Sequence, residues 1–282
     1  MVRLMQTPPL LTDRLALERN RSRAIAAPEL FLHEDAIVEV QERLNEVNRS
    51  FTSAAIVTPF ADLWQKAMPN ARIVPDADVL DLKFGAHDLV VHAMALHWAN
   101  DPVGQLVQCR RALQPDGLFL CLLFGGQTLS QLRASLAEAE VAVTGGLSPR
   151  IVPMGEIRDL GGLLQRAGFA LAVADSFTRT VRYRDAYHLM ADLRAMGEGN
   201  ALHHRQRRAT RRAVFLRAAQ IYKATFADSD GMIPATFDII CLTGWAPDES
   251  QQKPLRPGSA THRLADHLNA DETPLLRDPS GG

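Results

Sequence analysis

Apolar positions along the chain form two alternating patterns, short continuous runs and longer stretches with helical spacing. Continuous runs of this kind are typical of strands that are covered on both faces of a sheet. They occupy residues 54–57, 72–75, 88–91, 118–124, 170–174 and 237–245. Helical spacing is found in residues 11–23, 34–49, 61–68, 101–113, 127–140, 156–166, 185–196 and 208–226. Strands that alternate with helices in this way predict an α/β fold with a doubly wound sheet.

Two local signals mark the boundaries of the central elements. Asp101 followed by Pro102 predicts a helix start, because the carboxylate accepts the first free N–H groups and proline suits the first helical position. Residues 114–117, Gln-Pro-Asp-Gly, predict a tight turn before the strand at 118–124. In that turn we expect Gly117 to take the positive φ angle.

Composition excludes several classes of protein. The chain has 282 residues, of which 46% are hydrophobic and 22% charged, as expected for a globular protein with a sizeable core. Its net charge of −1 gives no overall attraction to nucleic acid or to an anionic membrane. No apolar stretch is long enough for a transmembrane helix, and the arginine-bearing N-terminus does not look like a secretory signal. The 3 scattered cysteines favour a reducing compartment, so we expect a cytoplasmic protein.

Motifs in the middle of the chain resemble those of class I methyltransferases, which use S-adenosylmethionine (SAM). Residues 87–91 (HDLVV) match the fourth strand of that fold, and residues 95–101 (ALHWAND) match the loop after it. The turn at 113–117 (LQPDG) leads to the strand that follows, as in these enzymes. These motifs alone indicate a methyltransferase-like domain and nothing narrower.

Further segments are more specific and resemble one family, the methyltransferase-fold assembly factors of respiratory complex I. They are residues 124–129 (FGGQTL), 144–150 (TGGLSPR), 164–169 (LQRAGF), 190–198 (MADLRAMGE), 242–247 (LTGWAP) and 249–260. The family includes mitochondrial arginine hydroxylases and bacterial relatives, and the malonyl-carrier-protein methyltransferases are more distant cousins. The resemblance runs from about residue 13 to about residue 268.

The resemblance implies a Rossmann-like SAM-methyltransferase sheet with added C-terminal helices. It divides the chain into an N-terminal helical segment (residues 1–50), an α/β core (51–176), a helical insertion with the final strand (177–248) and a tail (249–282). The cofactor-binding half of the core is short, since only 19 residues separate Val57 from Ala77. We therefore predict that one strand–helix unit is missing or shortened in this interval.

The family's cofactor motif is missing from the sequence. In the family, the first strand is followed by Asp-Leu-Gly and a second glycine, which let the backbone approach SAM. The equivalent residues 54–62 contain no glycine, and Pro59 removes an N–H donor where donors are wanted. We therefore expect SAM to be bound weakly or not at all.

Five residues are candidates for binding the cofactor or for catalysis. The resemblance implies that Asp78 contacts the adenine amino group, and the alternative is a solvated turn aspartate. Met94, Ala95 and Trp98 follow the fourth strand, where cofactor and substrate meet in this fold. Histidine can act as acid or base near neutral pH, so His97 is the catalytic candidate. The alternative for His97 is a histidine that merely packs beside Trp98.

Charge is unevenly distributed in the second half of the chain. Ten arginines stand between residues 179 and 217, against Asp185, Asp192 and Glu198. This excess of positive charge indicates either a dock for an acidic protein partner or a solvated helical face. No aromatic interleaving supports nucleic-acid binding, and no carboxylates stand at metal-binding spacing from the histidines. We therefore expect neither a nucleic acid nor a metal.

Three functions follow from the resemblance. The first is a SAM-dependent methyltransferase-like protein that acts on a protein substrate during respiratory complex I assembly. The second is hydroxylation of an arginine in a complex I subunit, and the third is non-catalytic assembly of the complex. Residues 197–200 and 249–260 keep the family's motifs in loops, so we assign them to recognition of a complex I subunit. That partner predicts a position at the cytoplasmic face of the inner membrane, peripheral to the bilayer.

Overall fold

The structure is a computed structural model that describes residues 10–251. Its helices are α1 (Arg14–Ala24), α2 (Phe31–Val47), α3 (Ala61–Ala67), α4 (Pro102–Ala112), α5 (Ser130–Thr144), α6 (Ile157–Arg166), α7 (Ala186–Ala195) and α8 (Arg212–Phe226). Its strands are β1 (Ala54–Val57), β2 (Arg72–Val74), β3 (His87–Ala93), β4 (Leu113–Phe124), β5 (Ala170–Tyr183) and β6 (Ile233–Trp245). A short 3-10 turn, Leu96–Trp98, follows β3.

The strands form one sheet in the order β2-β1-β3-β4-β6-β5. The first four strands in this order run parallel to one another. β6 lies antiparallel between β4 and β5. The doubly wound, Rossmann-like methyltransferase sheet that the sequence predicts is therefore confirmed.

Helices cover both faces of the sheet, and β4 shows this most clearly. Leu118, Leu120 and Leu122 belong to the core that contains side chains of α2, α5, α7 and α8. Phe119 and Cys121 belong to the core on the opposite face, which contains side chains of α4 and α6. Because neither face of β4 meets water, its sequence is a continuous apolar run rather than an alternating one.

The edge of the sheet that carries β2 is shortened, as predicted. Between Val57 and Ala77 the chain forms only the seven-residue helix α3 and the three-residue strand β2. Residues 75–86, which connect β2 to β3, contain neither helix nor strand. A parallel crossover of this kind usually contains a helix, so one helix is missing from the cofactor-binding half.

The predicted start of α4 is confirmed at atomic detail. Pro102 is the first helical residue, and Asp101 is the cap. The Asp101 Oδ1 atom accepts a hydrogen bond from the Gly104 N–H at 2.8 Å. This cap orients α4 directly after the turn that carries His97 and Trp98.

The predicted turn at 114–117 is wrong in one detail. Asp116, not Gly117, has the positive φ angle, +57°, and these residues already belong to β4. Aspartate is one of the few residues other than glycine that adopts this conformation readily. Gly117 is needed for space instead, because a Cβ atom there would lie 2.9 Å from the Gln114 backbone oxygen.

Two other predicted boundaries are corrected by the structure. The strand predicted at 170–174 continues to Tyr183, because β5 pairs with β6 along its whole length. Many β5 side chains are exposed or half-buried, so its sequence carries little apolar signal. The helix predicted from 208 begins at Arg212.

Among the described residues, 10–248 belong to one compact unit, and 249–251 belong to a second. Recognition residues predicted at 252–260 therefore lie outside the described residues. Within residues 10–251, none of the helices combines the length and the apolar character needed to cross a bilayer.

Candidate functional site

The site is built around the segment that follows α7. Gly197 ends this helix with a φ angle of +76°. The Glu198 N–H then donates to the Leu193 backbone oxygen at 2.9 Å. A Cβ atom on residue 197 would lie 3.2 Å from the Arg21 Cα atom, so glycine is needed here for the close approach of α1. The Gly-Glu-Gly sequence thus places Glu198 beside α1.

The N-terminal segment holds this loop in position. The Asp13 N–H donates to the Ala201 backbone oxygen at 2.8 Å, and the Asn20 side chain donates to the Gly199 backbone oxygen at 3.0 Å. An ion pair of 2.9 Å joins Asp13 to Arg205. The hydrogen bond from Arg205 is the main reason that the pKa of Asp13 falls to about 2. These contacts fix the loop to α1 although the two segments are far apart in sequence.

Two residues of the turn after β3 hold the Glu198 carboxylate. Its Oε2 atom accepts from the Trp98 Nε1–H at 2.7 Å and from His97 Nε2 at 3.3 Å. Burial raises the pKa of Glu198, but the electrostatic interactions with His97 and Arg21 and the hydrogen bonds from His97 and Trp98 outweigh it. The net pKa lies below the ordinary value, so Glu198 is ionised at neutral pH. Its Oε1 atom has no hydrogen-bond partner among residues 10–251.

A cavity of about 420 Å³ lies beside this carboxylate. Most of its wall is aromatic or aliphatic, with Trp98, Phe124, Leu132, Met190, Leu193 and Phe237 among the lining residues. Glu198 is the only acidic residue among the described residues that line it. Two of the lining arginines already have an acidic partner, since Arg150 pairs with Glu140 at 2.6 Å and Arg205 shares Asp13 with Arg207.

This arrangement suits a cationic side chain with a flat polar group. The Glu198 side chain is only 13% exposed, so a cation beside it would interact through little water and be screened weakly. A guanidinium fits a carboxylate through charge-assisted hydrogen bonds. The Trp98 and Phe124 rings also attract a cation, because the face of an aromatic ring is negatively polarised.

The structure groups some of the predicted site residues and separates others. His97 and Trp98 are both buried and both contact Glu198. Met94 and Ala95 precede them and are about 1% exposed, and Met94 has a positive φ of 52°. Asp78 is exposed in the loop between β2 and β3, on a different element.

Protein side chains cover the carboxyl end of β1, where the fold's cofactor lies. Phe60, directly before α3, is 8% exposed, and its ring lies 4.8 Å from the His33 ring. His33, on α2, accepts a hydrogen bond from the Trp64 Nε1–H at 3.2 Å. The region that carries glycines in other methyltransferases is thus packed with three ring side chains.

An ion pair covers the end of β2 in the same way. Asp76 follows this strand and is 5% exposed. Both of its carboxylate oxygens accept from Arg21 Nη1, at 2.6 and 2.7 Å. The Arg21 Nη2 and His92 Nδ1 atoms are enclosed, with no hydrogen-bond partner in the described part of the chain. These residues leave no open cradle for the amino-acid and ribose parts of SAM, so they do not fit the cofactor in the arrangement that the resemblance implies.

Sequence reasoning missed the arginines of α1. Arg14 and Arg21 both reach Asp76, and a spacing of seven residues places them on one face of a helix. This spacing indicates that the two arginines could share one partner, but it does not identify Asp76 as that partner. The sequence assigns Asp76 no role, because it stands too close to Asp78 to be the acidic residue that the family places at the end of the second strand.

One group of side chains elsewhere has the composition of a metal site. Glu39, Asp175 and Cys241 bring ligand atoms to within 4.8 Å of one another. Arg43 contacts Glu39 at 2.7 Å and Asp175 at 2.5 Å. Its guanidinium supplies the positive charge that these carboxylates need, so we assign no metal to the group.

The chain is similar to several known proteins. The methyltransferase domain family matches residues 38–121. Mitochondrial arginine-hydroxylase NDUFAF5 of Danio rerio is 40% identical over 199 residues, which cover 71% of this chain and 62% of that protein. Malonyl-[acyl-carrier protein] O-methyltransferase of Xylella fastidiosa is 34% identical over 179 residues, covering 64% and 58%. A solved SAM-dependent methyltransferase of Thermotoga maritima is 9% identical with a TM-score of 0.42, covering 83% of this chain and 100% of that one.

The chain matches 62% of the length of the Danio rerio relative and 58% of the Xylella fastidiosa relative. The sheet order and the methyltransferase domain match both indicate a methyltransferase fold. The 40% identity shows that the sequence is similar to that of the hydroxylase. The chain therefore has a methyltransferase fold and is similar in sequence to the NDUFAF5 arginine-hydroxylases over about 71% of its length.

Proposed function

We propose that this protein is a methyltransferase-fold assembly factor that binds an arginine side chain of a respiratory complex I subunit. The observation that carries the proposal is the ionised Glu198 in the wall of an otherwise mostly apolar cavity. The arginine enters this cavity and donates to Glu198 Oε1, the oxygen that Trp98 and His97 do not use. The same proposal places the protein at the cytoplasmic face of the inner membrane, where its partner is assembled.

The cavity favours arginine over lysine as the bound residue. Arginine presents a planar group with several donors, whereas lysine presents a compact and strongly hydrated charge. A planar group can bond to the carboxylate edge while it lies against Trp98 or Phe124. The name of the relative at 40% identity, arginine-hydroxylase, supports the same choice of residue.

Glu198, His97 and Trp98 perform the binding and orientation step of the proposed activity. His97 and Trp98 hold one oxygen of Glu198, which fixes the direction of the other. Methyl transfer, hydroxylation and non-catalytic client binding all need this step. We assign His97 as a positioning residue, because its contact is with Glu198.

SAM is expected to bind weakly, with a dissociation constant in the high micromolar range or above. Each backbone donor that the site lacks costs about 1–3 kcal/mol, and 1.4 kcal/mol is a factor of ten in affinity. A calorimetric titration of the purified protein with SAM measures this directly. If some binding is detected, Asp78→Ala should weaken it, which tests Asp78 as an adenine contact. A low-micromolar dissociation constant would contradict the expectation.

Glu198→Gln is expected to weaken arginine binding by about ten-fold or more. A hydrogen bond to a charged group contributes about 1.5–3 kcal/mol, and glutamine keeps the shape of the side chain without its charge. The measurement is co-purification with complex I subunits in a host that lacks the endogenous protein. Titration with peptides from the captured subunit then gives the affinity.

The matched control is Glu138→Gln, because Glu138 is exposed on α5 and does not line the cavity. It should bind like the unaltered protein. Peptides in which citrulline replaces arginine should bind poorly to the unaltered protein. Equal capture of subunits by both glutamine variants would reject the proposed function.

A further inference from the structure

Several exposed arginines near the cavity have no acidic partner within the part of the chain that the structure describes. Five of the ten arginines between residues 179 and 217 form ion pairs, namely Arg179, Arg182, Arg184, Arg205 and Arg207. For the other five, no ion pair is found within the described residues: Arg194, Arg208, Arg211, Arg212 and Arg217. The sequence left open whether these arginines form a solvated face or a docking surface. The five without an ion pair are the candidates for a docking surface.

Three of these five arginines line the cavity or stand next to lining residues in the sequence. Arg194 lines it directly, in the last turn of α7. Gln206 and Thr210 also line it, so the segment between them lies beside the cavity. This segment carries Arg208, and Arg211 follows it immediately; all three arginines are exposed. We call Arg194, Arg208 and Arg211 the rim arginines.

The rim arginines and Glu198 have opposite charges and different degrees of exposure. Glu198 is mostly buried in the wall and attracts a cation, whereas the rim is exposed and attracts anions. A ligand that carries only positive charge would be repelled at the rim before it reached Glu198. A ligand that carries only negative charge, such as a nucleic acid, would be attracted to the rim but repelled by Glu198.

We infer that the bound segment carries acidic residues beside its arginine, and that the rim arginines select for them. The inference rests on the proposed function and names the substrate class of the same site. The arginine pairs with Glu198 inside the cavity, and the acidic neighbours pair with the rim outside it. Selection acts through charge complementarity, which gives specificity and speeds association.

The expected contribution of each rim contact is modest. Exposed ion pairs contribute little because water and salt screen them. We expect about a two- to five-fold loss of affinity when one rim pair is removed. The loss should become smaller as the salt concentration rises, whereas the requirement for the arginine should persist.

The test uses short blocked peptides that contain one central arginine flanked by aspartates, and matched peptides with asparagine or lysine in the flanks. The full-length protein is titrated with each at low and high salt. We expect the aspartate peptide to bind tightest and the lysine peptide weakest. Arg194→Glu together with Arg208→Glu should reverse this order. Arg158→Glu should leave it unchanged, because Arg158 is exposed on α6 and does not line the cavity.

The outcomes separate the inference from the proposed function. Equal binding of the aspartate and asparagine peptides, with loss on replacing arginine by citrulline, would overturn the inference and leave the proposed function standing. Equal binding of arginine and citrulline peptides would overturn both. Competition by single-stranded RNA that is as strong as by the aspartate peptide would assign the rim to nucleic acid and overturn the inference.

Discussion

Replacing Asp76 with asparagine is expected to lower the free energy of unfolding by about 3–5 kcal/mol, since this leaves a buried guanidinium without its counter-charge. The Arg21 and Asp76 side chains are 9% and 7% exposed, and their atoms meet at 2.6 Å. Urea unfolding at neutral pH measures the loss. Asp35→Asn is the comparison, because its pair with Arg179 is considerably more exposed and its loss should cost less than about 1 kcal/mol.

A double variant tests the cause of this loss. Arg21→Met with Asp76→Leu replaces the two most buried charges by apolar groups, and such replacements are often neutral for a buried pair. Arg14, which is 19% exposed, keeps its hydrogen bond to the Asp76 backbone oxygen. We therefore expect the double variant to be more stable than Asp76→Asn alone. If the double variant is the less stable of the two, the uncompensated charge is not the cause. If Asp76→Asn costs no more than Asp35→Asn, the pair does not stabilise the fold.

Lowering the pH from 7 to 5 is expected to destabilise the protein by about 2 kcal/mol for each of two buried histidines. Burial lowers the pKa of both His33 and His92 from 6.5 to about 4. Their folded pKa lies below the unfolded value, so between these values the unfolded chain binds more protons than the folded one. This stabilisation is complete above about pH 6.5 and is lost as the pH falls towards 4.

Urea midpoints measured between pH 7 and 5 check this expectation. Carboxylates contribute little in that window, since the pKa values of Asp13 and Glu140 are about 2 in the folded protein. His33→Asn and His92→Gln remove the titration and can keep the bonds to Trp64 and Gln105. The pH dependence of the double variant should be flatter than that of the unaltered protein. Parallel curves for the two proteins would contradict the assignment.

Local sequence signals predicted much of the fold. They succeed where a residue's partners are its neighbours in sequence, or where both faces of a strand are buried. The run of β4 is apolar since both of its faces are covered, and Asp101 caps a helix that starts at the next residue. The extension of β5 was missed because pairing with β6, rather than side-chain burial, defines its later residues. The short interval after β1 was recognised from chain length alone.

The candidate site was predicted only in part. The sequence indicated Glu198 as a recognition residue and placed His97 and Trp98 in a functional turn. It did not indicate that these three side chains meet, since His97 and Glu198 are 101 residues apart in sequence. The pairing of Arg21 with Asp76, 55 residues apart, was missed for the same reason. Contacts between distant segments depend on the assembled fold, which spacing and periodicity do not encode.

The position of α1 also determines when the site can form during synthesis. This helix leaves the ribosome before the segments it contacts, which are Asp76 and the loop that ends near Arg207. Domains fold during translation only as their interacting segments become available. The hydrophobic side chain of Leu17, fully buried in the finished protein, must therefore wait for most of the chain to be made. The cavity beside Glu198 is lined by residues from Trp98 to Phe237, so it is among the last parts of the described chain to form.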